Sequence, residues 1–426
     1  MFYLSLFGSF GLLLLIGVPI AISLGLASIF SILITGDTTI SFLTVNFVNS
    51  IDSFPILAVP FFIFAGEIMA QGGLSKRLFG LADSIVGNKT GGLAIAAVIS
   101  CMFFGSISGS SPATVAAMGT IMIPAMVQRG YNKTFATATI AAAGSLGVII
   151  PPSIDMIMFG VTSNTSIGNM FLGGILPGIL LGTCLMIWAY IYSKKNGYTG
   201  TDEKTSIKRI LTELNNCKWA LLIPVVILGG IYSGIFTPTE SAVVAVVIAL
   251  VSSFFIYREM GLRDIPKLMA SSSATIATIL IILSAATGFA KLLTIKQAPQ
   301  QMADFLLSVT ESPIVIIILI NLMLLAVGTF MDSVPSIIIL TPILFPIATN
   351  LGFEPVHFGV MMIVNLSVGF ITPPVGVNLF VASGISQLSV TQIAKSIVPY
   401  FLAMVFSLFI VMIWPELSLF LVNLTQ

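Results

Sequence analysis

Charge is what this chain has least of. Asp, Glu, Lys and Arg make up 8% of its 426 residues, against roughly 25% in soluble domains, which excludes a soluble enzyme. The 17 basic and 16 acidic residues nearly cancel, so there is no basic face for nucleic acid and no acidic face for a basic partner. Histidine occurs once, as His357 opening an apolar segment, where packing or capping outweighs a metal role. Cysteine occurs three times, at Cys101, Cys184 and Cys217, without Cys-x-x-Cys spacing; neither a disulfide nor a thiolate metal site is expected. No nucleophile, base and orienting residue come together in a recognisable pattern, so no catalytic function is expected.

What remains is apolar. Hydrophobic residues make up 57% of the chain and the mean hydropathy is +1.10, so the lipid bilayer is its solvent. At about 20 residues per span, the length allows roughly ten to twelve crossings with short loops. Apolar segments run over residues 3–34, 53–71, 92–128, 134–163, 168–192, 219–234, 238–257, 268–292, 313–348, 357–385 and 396–423. The first of these is too long for a cleavable signal and lacks a basic flank, so it reads as membrane structure. Trp188, Trp219 and Trp414 stand near segment ends, where an interfacial belt is the ordinary role. The longest polar stretch, 193–218, carries Lys194, Lys195, Lys204, Lys208, Arg209 and Lys218 and predicts a cytoplasmic connector.

The two sides of that connector repeat one another. At an offset of 222, Gly147, Ile149, Pro151, Pro152, Ile175, Pro177 and Leu180 return as Gly369, Ile371, Pro373, Pro374, Ile397, Pro399 and Leu402. Pro124 and Gly130 return as Pro346 and Gly352, and a one-residue slip upstream pairs Gly105, Ser110 and Pro112 with Gly328, Ser333 and Pro335. The matches are mainly helix breakers, which favours a duplicated transporter fold over chance similarity between apolar runs.

Lys and Arg placement orients the halves. Lys76, Arg77 and Lys89 precede segment 92–128 and Arg129 and Lys133 follow it, so both its ends are cytoplasmic and the segment is re-entrant. Its Gly/Ser-rich middle suits a tip between two half-helices. Counting crossings through Arg258, Arg263, Lys267 and Lys395 makes segment 313–348 enter from the opposite face, although Lys291 and Lys296 point the other way. The expectation is an all-α polytopic membrane protein of two inverted repeats, 1–192 and 219–426, joined by the connector 193–218. Each carries a re-entrant hairpin, about 92–128 and 313–348, and a broken helix. Residues 74–86 and 297–309 are amphipathic and predict interfacial arms before the hairpins.

Irregular backbone at membrane depth is tolerated only where it is buried or lines a cavity. The tips 105–112 and 328–335 and the unwound stretches 144–153 and 367–376 are therefore the candidate site. Paired prolines free upstream carbonyls for a hard cation. Hydroxyls of Ser106, Ser108, Ser110, Ser111 and Ser145 are candidates to complete one cation site, and Asp332, Ser333, Ser367 and Thr372 its partner; oxygen ligands suit sodium. Half-helix N-termini at the tips suit an anion held between them, with Ser110, Ser111, Ser153, Asp155 and Ser333 as candidate substrate contacts. Asp155 and Asp332 are intramembrane carboxylates, functional by default. Because Gly109 stands opposite Asp332 in the slipped alignment, the two cation sites cannot be identical. Glu67 reads as structural, and Glu240, in Thr-Pro-Thr-Glu, as part of a helix cap.

These motifs resemble the large membrane subunit of a tripartite ATP-independent periplasmic (TRAP) transporter over nearly the whole chain. The resemblance rests on Phe-Gly-Ser-Ile-Ser-Gly-Ser-Ser from Phe104, Ile-Pro-Pro-Ser from Ile150, Gly-Ile-Phe-Thr-Pro-Thr-Glu-Ser from Gly234, and Ile-Thr-Pro-Pro-Val-Gly from Ile371. Phe159, where tyrosine is expected, and Ser241, where alanine is usual, depart from the pattern; Phe159 bears on substrate preference. The resemblance implies a sodium-coupled, elevator-type importer of an organic acid, of the sialic acid or C4-dicarboxylate class, in the bacterial inner membrane. It also implies a small four-helix membrane subunit and a periplasmic binding protein as partners. By the same resemblance one sodium site draws on Ser106, Ser108, Gly144, Gly147, Val148 and Pro151, the other on Gly328, Asp332, Thr372, Pro373 and Gly376. The alternatives are a standalone sodium- or proton-coupled carboxylate carrier and a channel or scaffold subunit. An intramembrane hydrolase is disfavoured, since a Gly-x-Ser-x-Gly elbow from Gly105 would have Ile107 at its centre.

Overall fold

The computed structural model describes residues 1–425 except 37, 201–205, 311 and 374, and, within one helix, the side chains of 303 and 305–309. Lys204 of the connector and Pro374 of the second proline pair lie outside the described residues. Among the described residues twenty α-helices follow one another. They are α1 (Phe2–Leu15), α2 (Ile20–Thr35), α3 (Ile40–Ile51), α4 (Ala58–Gln71), α5 (Leu74–Val86), α6 (Gly92–Ser108), α7 (Ser111–Gln128), α8 (Lys133–Gly144), α9 (Ile154–Ser163) and α10 (Ile167–Lys195). After the connector come α11 (Ile207–Tyr232), α12 (Pro238–Val251), α13 (Ile265–Ile295), α14 (Ala298–Val309), α15 (Pro313–Phe330), α16 (Ser333–Asn350), α17 (Pro355–Gly369), α18 (Val377–Ser386), α19 (Val390–Ile413) and α20 (Glu416–Thr425). Eight helical stretches among the described residues are long and apolar enough to cross a bilayer. Both arms of the second hairpin, α15 and α16, are among the eight, whereas α6 of the first hairpin and the pieces of both broken helices, α8, α9, α17 and α18, are shorter.

Segment boundaries differ from the expectation in instructive places. The apolar run 3–34 is not one span: Gly17 takes φ +82°, a left-handed turn glycine adopts without cost, and Pro19 caps α2. The chain reverses there, and α1 lies against α2 with Ser5 Oγ 3.2 Å from Ser31 Oγ. Helix α3, rich in Asn and Ser, was hidden between two apolar segments. The final segment breaks at Trp414 into α19 and α20, and the connector shortens because α11 begins at Ile207.

Both hairpins form, with narrower tips than 105–112 and 328–335. Helix α6 stays helical through Ser108, leaving only Gly109 (φ 61°) and Ser110 between it and α7. Helix α15 runs to Phe330, leaving Met331 and Asp332 before α16. The first broken helix is α8, a 3-10 turn over Ser145–Val148, an irregular stretch and then α9. The second passes from α17 through 370–376 to α18.

Helix α10 serves as a ruler for their orientation. Gly91, at the root of the first hairpin, abuts Ser193 near its end, whereas Gly173 near its start abuts Val356, just past the root of the second. Between Gly173 and Ser193 the helix rises about 30 Å, the thickness of the hydrocarbon core. The hairpins therefore enter from opposite faces, and the two repeats are inverted. Within each, the duplicated glycines touch. A methyl group on Gly105 would lie 2.7 Å from Gly147 Cα, and one on Gly369 would overlap the Gly328 carbonyl, so hairpin and broken helix meet backbone to backbone in both halves.

The arms α5 and α14 are helical. Asp83 of α5 pairs with Arg209 of α11 at 2.9 Å and with Arg129, at the root of the first hairpin, at 3.7 Å. Arg77 of α5 pairs with Glu259 at 2.7 Å and lies over the Tyr257 ring. The Thr-Pro-Thr-Glu motif caps α12: Thr237 Oγ1 accepts from the Glu240 amide, and Glu240 Oε2 accepts from the Thr237 amide at 2.8 Å.

Candidate functional site

The two tips and the first break meet at a cavity of about 640 Å³. Its walls come from four places. The first tip supplies Ser108, Gly109, Ser110, Ser111 and Pro112; the first break and α9 supply Val148, Ile154 and Asp155; the second tip supplies Asp332, Ser333, Val334 and Pro335. The opposite wall is α4, with Ile63, Gly66, Glu67, Ala70 and Gln71, and α13, with Thr275, Thr278, Ile279 and Ile282. The lining holds three carboxylates, Glu67, Asp155 and Asp332, and among the described residues no Lys, Arg or His. An unneutralised acidic lining at membrane depth is costly, so the cavity suits a cation. The helix N-termini of α7 and α16 at its edge give it free amides for an anion as well.

Each tip is tied to its own break through the backbone. The Ile154 amide donates to the Gly109 carbonyl, and the Gly376 amide to the Thr329 carbonyl, both at 3.3 Å. Ser108 Oγ lies 2.9 Å from Thr114 Oγ1, which donates to the Ser110 carbonyl at 2.8 Å, so the hydroxyls of the first tip form a closed knot at the edge of the cavity. Asp332 caps α16, its Oδ1 accepting from the Ser333 amide at 2.8 Å, and it is open to the cavity. Asp155 is buried, faces Ser333 and Asp332, and its Oδ2 has no hydrogen-bond partner among the described residues.

The candidate residues fall into two groups. Ser108, Ser110, Ser111, Val148, Asp155, Asp332 and Ser333 line the cavity. The others are not in its lining. Ser106 donates to the Phe103 carbonyl at 2.7 Å; Gly144 is packed on Val115 and Gly147 on Thr114 and Gly105; Pro151 is buried. Ser153 caps α9 and donates to the Val148 carbonyl at 2.6 Å, which is a structural placement rather than a cavity contact. Ser367 donates to the Val364 carbonyl. In the second break, Gly328 packs on Leu366 and Gly369, Thr372 Oγ1 donates to the Val368 carbonyl at 2.8 Å, Pro373 is exposed, and Gly376 takes φ 57°. Phe159 packs on Phe345 and Phe358, away from the cavity lining.

Two features were not read from the sequence, and a third, Glu67, was read there as structural. Glu67 lines the cavity and accepts from Ser271 Oγ at 2.9 Å. Thr275 and Thr278 face the tips from α13. Asn378, the second residue of α18, is fully buried against the first half; the only signal for it was a polar amide in an apolar stretch just after the proline pair.

Residues 7–417 match the family described as "Tripartite ATP-independent periplasmic transporter, DctM component". The chain is 47% identical to the isethionate TRAP transporter permease protein DctMQ of Oleidesulfovibrio alaskensis over 97% of its own length and 65% of that protein's, so it spans just under two thirds of that relative. It is 39% identical to the C4-dicarboxylate TRAP transporter large permease protein DctM of Rhodobacter capsulatus, over 99% of both chains. It is 36% identical to the sialic acid TRAP transporter large permease protein SiaM of Vibrio cholerae, over 99% of this chain and 98% of that one. Among solved structures, the YdaH transporter of Alcanivorax borkumensis superposes with a TM-score of 0.61 at 15% identity, covering 88% of each chain, a likeness of fold alone. With inverted hairpins, paired broken helices and full-length matches to its large permeases, this chain belongs to the TRAP transporter family, as a DctM-type large permease component that spans the inner membrane many times.

Proposed function

We propose that the protein is the large permease of a sodium-coupled importer of a small organic anion. The observation that carries the reading is the cavity between the two tips, with three carboxylates and no basic side chain in its described lining. An anionic substrate entering such a cavity needs cations with it, and sodium as co-transported cargo supplies them. Ser106, Ser108, Gly144, Gly147, Val148 and Pro151 are the proposed ligand set of one sodium, and Gly328, Asp332, Thr372, Pro373 and Gly376 of the other. Ser110, Ser111, Asp155 and Ser333 are the proposed substrate contacts; Ser153, as a helix cap, would act by holding Val148.

The cavity lies between the tips on one side and α4 and α13 on the other, which supports an elevator motion of the hairpin-bearing unit against a scaffold. Glu67 and Gln71 lie on the cavity near the Gly73 end of α4, which meets Glu259 beside basic Arg258 and Arg263; this fits an inward-facing state by the excess of cytoplasmic Lys and Arg. We take 1–192 and 219–426 as the repeats and 193–218 as their connector. The partners in this reading are a small membrane subunit and a periplasmic binding protein.

The substrate is an acid small enough for the cavity. The relatives' names span a sulfonate, C4-dicarboxylates and sialic acid, and the match to the isethionate permease is the strongest of the three in identity. Uptake of labelled isethionate, succinate and sialic acid into proteoliposomes holding this chain and its small partner tests the reading, with the sodium gradient and binding protein each present or omitted. Uptake that needs both is the expected result. Uptake without a binding protein would instead make it a standalone carrier, and flux persisting without a sodium gradient a channel.

A further inference from the structure

The two halves are tied to each other by a reciprocal crossing. Helix α18 of the second half packs on α7 of the first hairpin, and α9 of the first half packs on α16 of the second hairpin. Asn378 and Asp155 hold the same place in these half-helices, each the second residue after its break. Each faces the first residue of the other half's returning hairpin helix: Asn378 meets Ser111, and Asp155 meets Ser333.

Asn378 is the saturated member of this pair. Its Oδ1 accepts from Ser111 Oγ at 3.0 Å, and its Nδ2 donates to the Ala141 carbonyl at 2.9 Å and to Ser145 Oγ at 3.1 Å. Ala141 belongs to the last turn of α8 before the break, Ser145 begins the break, and Ser111 opens α7. One buried amide from the second half thus joins the tip and the break of the first, beside Gly144, which packs on Val115 and the Ser111 carbonyl. It carries no charge and does not itself line the cavity, so its influence on a bound ion must pass through what it holds.

We propose that Asn378 is a positioning residue for sodium in the first repeat, so that the cation site of one half is completed by the other. The proposal rests on the sodium reading above. Deleting the amide leaves the Ser111 and Ser145 hydroxyls and the Ala141 carbonyl without it in a closed core, where an unmade hydrogen bond is costly, and frees tip and break to drift apart.

The test is the sodium dependence of thermal unfolding of the purified chain in detergent, with sodium chloride titrated against choline chloride. Wild-type protein is expected to gain stability with sodium. In Asn378→Leu the sodium concentration for half of that gain should rise about tenfold, equivalent to about 1.4 kcal/mol. An unfolding midpoint that falls while the half-effect concentration stays at the wild-type value would make the amide structural only and overturn the proposal. Asn378→Asp, which keeps the size and the Ser111 acceptor but not the donors, and Ser145→Ala, which removes one acceptor, carry the same criterion where the leucine variant does not fold. A wild-type protein with no response to sodium would instead overturn the sodium reading and this inference together.

Discussion

The two repeats share a backbone and differ in burial. In the first, the break from Gly144 to Ser153 is closed to solvent apart from partial exposure at Ile150. In the second, Thr372 is partly exposed and Pro373 exposed, and the outer hairpin arm α15 shows Ile314, Leu322 and Phe330 at its surface. The chemistry of the tips follows that difference. The second tip opens to the cavity and can carry the Asp332 carboxylate, since a charge in contact with a polar cavity avoids most of the cost of burial. The first tip has Gly109 in a left-handed turn, where any side chain would approach the Pro152 carbonyl at 3.1 Å and the Ile154 amide at 3.2 Å. It offers hydroxyls instead. Duplication supplied the geometry twice, and local crowding decided which copy holds the charge.

This contrast can be broken most directly at what the halves share. Gly369→Ala should destabilise the fold by about 1–3 kcal/mol or more, because the added methyl meets backbone that has no side chain to withdraw. Gly105→Ala should follow closely, while Gly8→Ala, with nothing within 4 Å, should leave thermal unfolding unchanged. Equal stability of all three would break the equivalence of the two backbone contacts.

Asp332→Asn probes what the halves do not share. It should raise the half-saturating sodium concentration for uptake about tenfold with the fold retained, and uptake at the wild-type sodium dependence would count against a charged second site. Asp155→Asn should be milder, since Asn378 shows that an amide fits the equivalent position. About a threefold loss in sodium or substrate affinity is expected, read from the same uptake curves, and a loss larger than that of Asp332→Asn would reverse the ranking of the two carboxylates. The smallest effect is expected at the arm. Asp83→Asn weakens pairs whose arginines are partly exposed, and should cost no more than about 1 kcal/mol in thermal unfolding at low salt, less at high salt.

The fold was legible where it depended on backbone-breaking residues. Gly105, Gly147, Gly328, Gly369 and the proline pairs mark hairpins and breaks because lipid allows irregular backbone only in such places, and they do so twice. The turn at Gly17 and Pro19 was equally marked but lay inside one long apolar run, where hydropathy outweighed it. Helix α3 escaped because Asn46, Asn49 and Ser50 dilute its apolar pattern. Of the candidate site, the cavity-facing tip residues were readable from composition. The ties made by Asn378 to Ser111, 267 residues apart, were not, since no local period or spacing encodes a contact between halves. Glu67 was read as structural, which its bond from Ser271 fits, but that it also faces the cavity follows only from the packing of α4 opposite the tips.

The backbone contacts between hairpin and broken helix also bear on how such a chain can change. When two side chains collide, a smaller neighbour can relieve the strain, but at Gly105 and Gly147, or Gly328 and Gly369, both partners are already the smallest residue there is. No second substitution within the pair rescues the first. These four positions are dead ends for stepwise sequence drift, and any remodelling of substrate preference has to be written on the cavity walls around them.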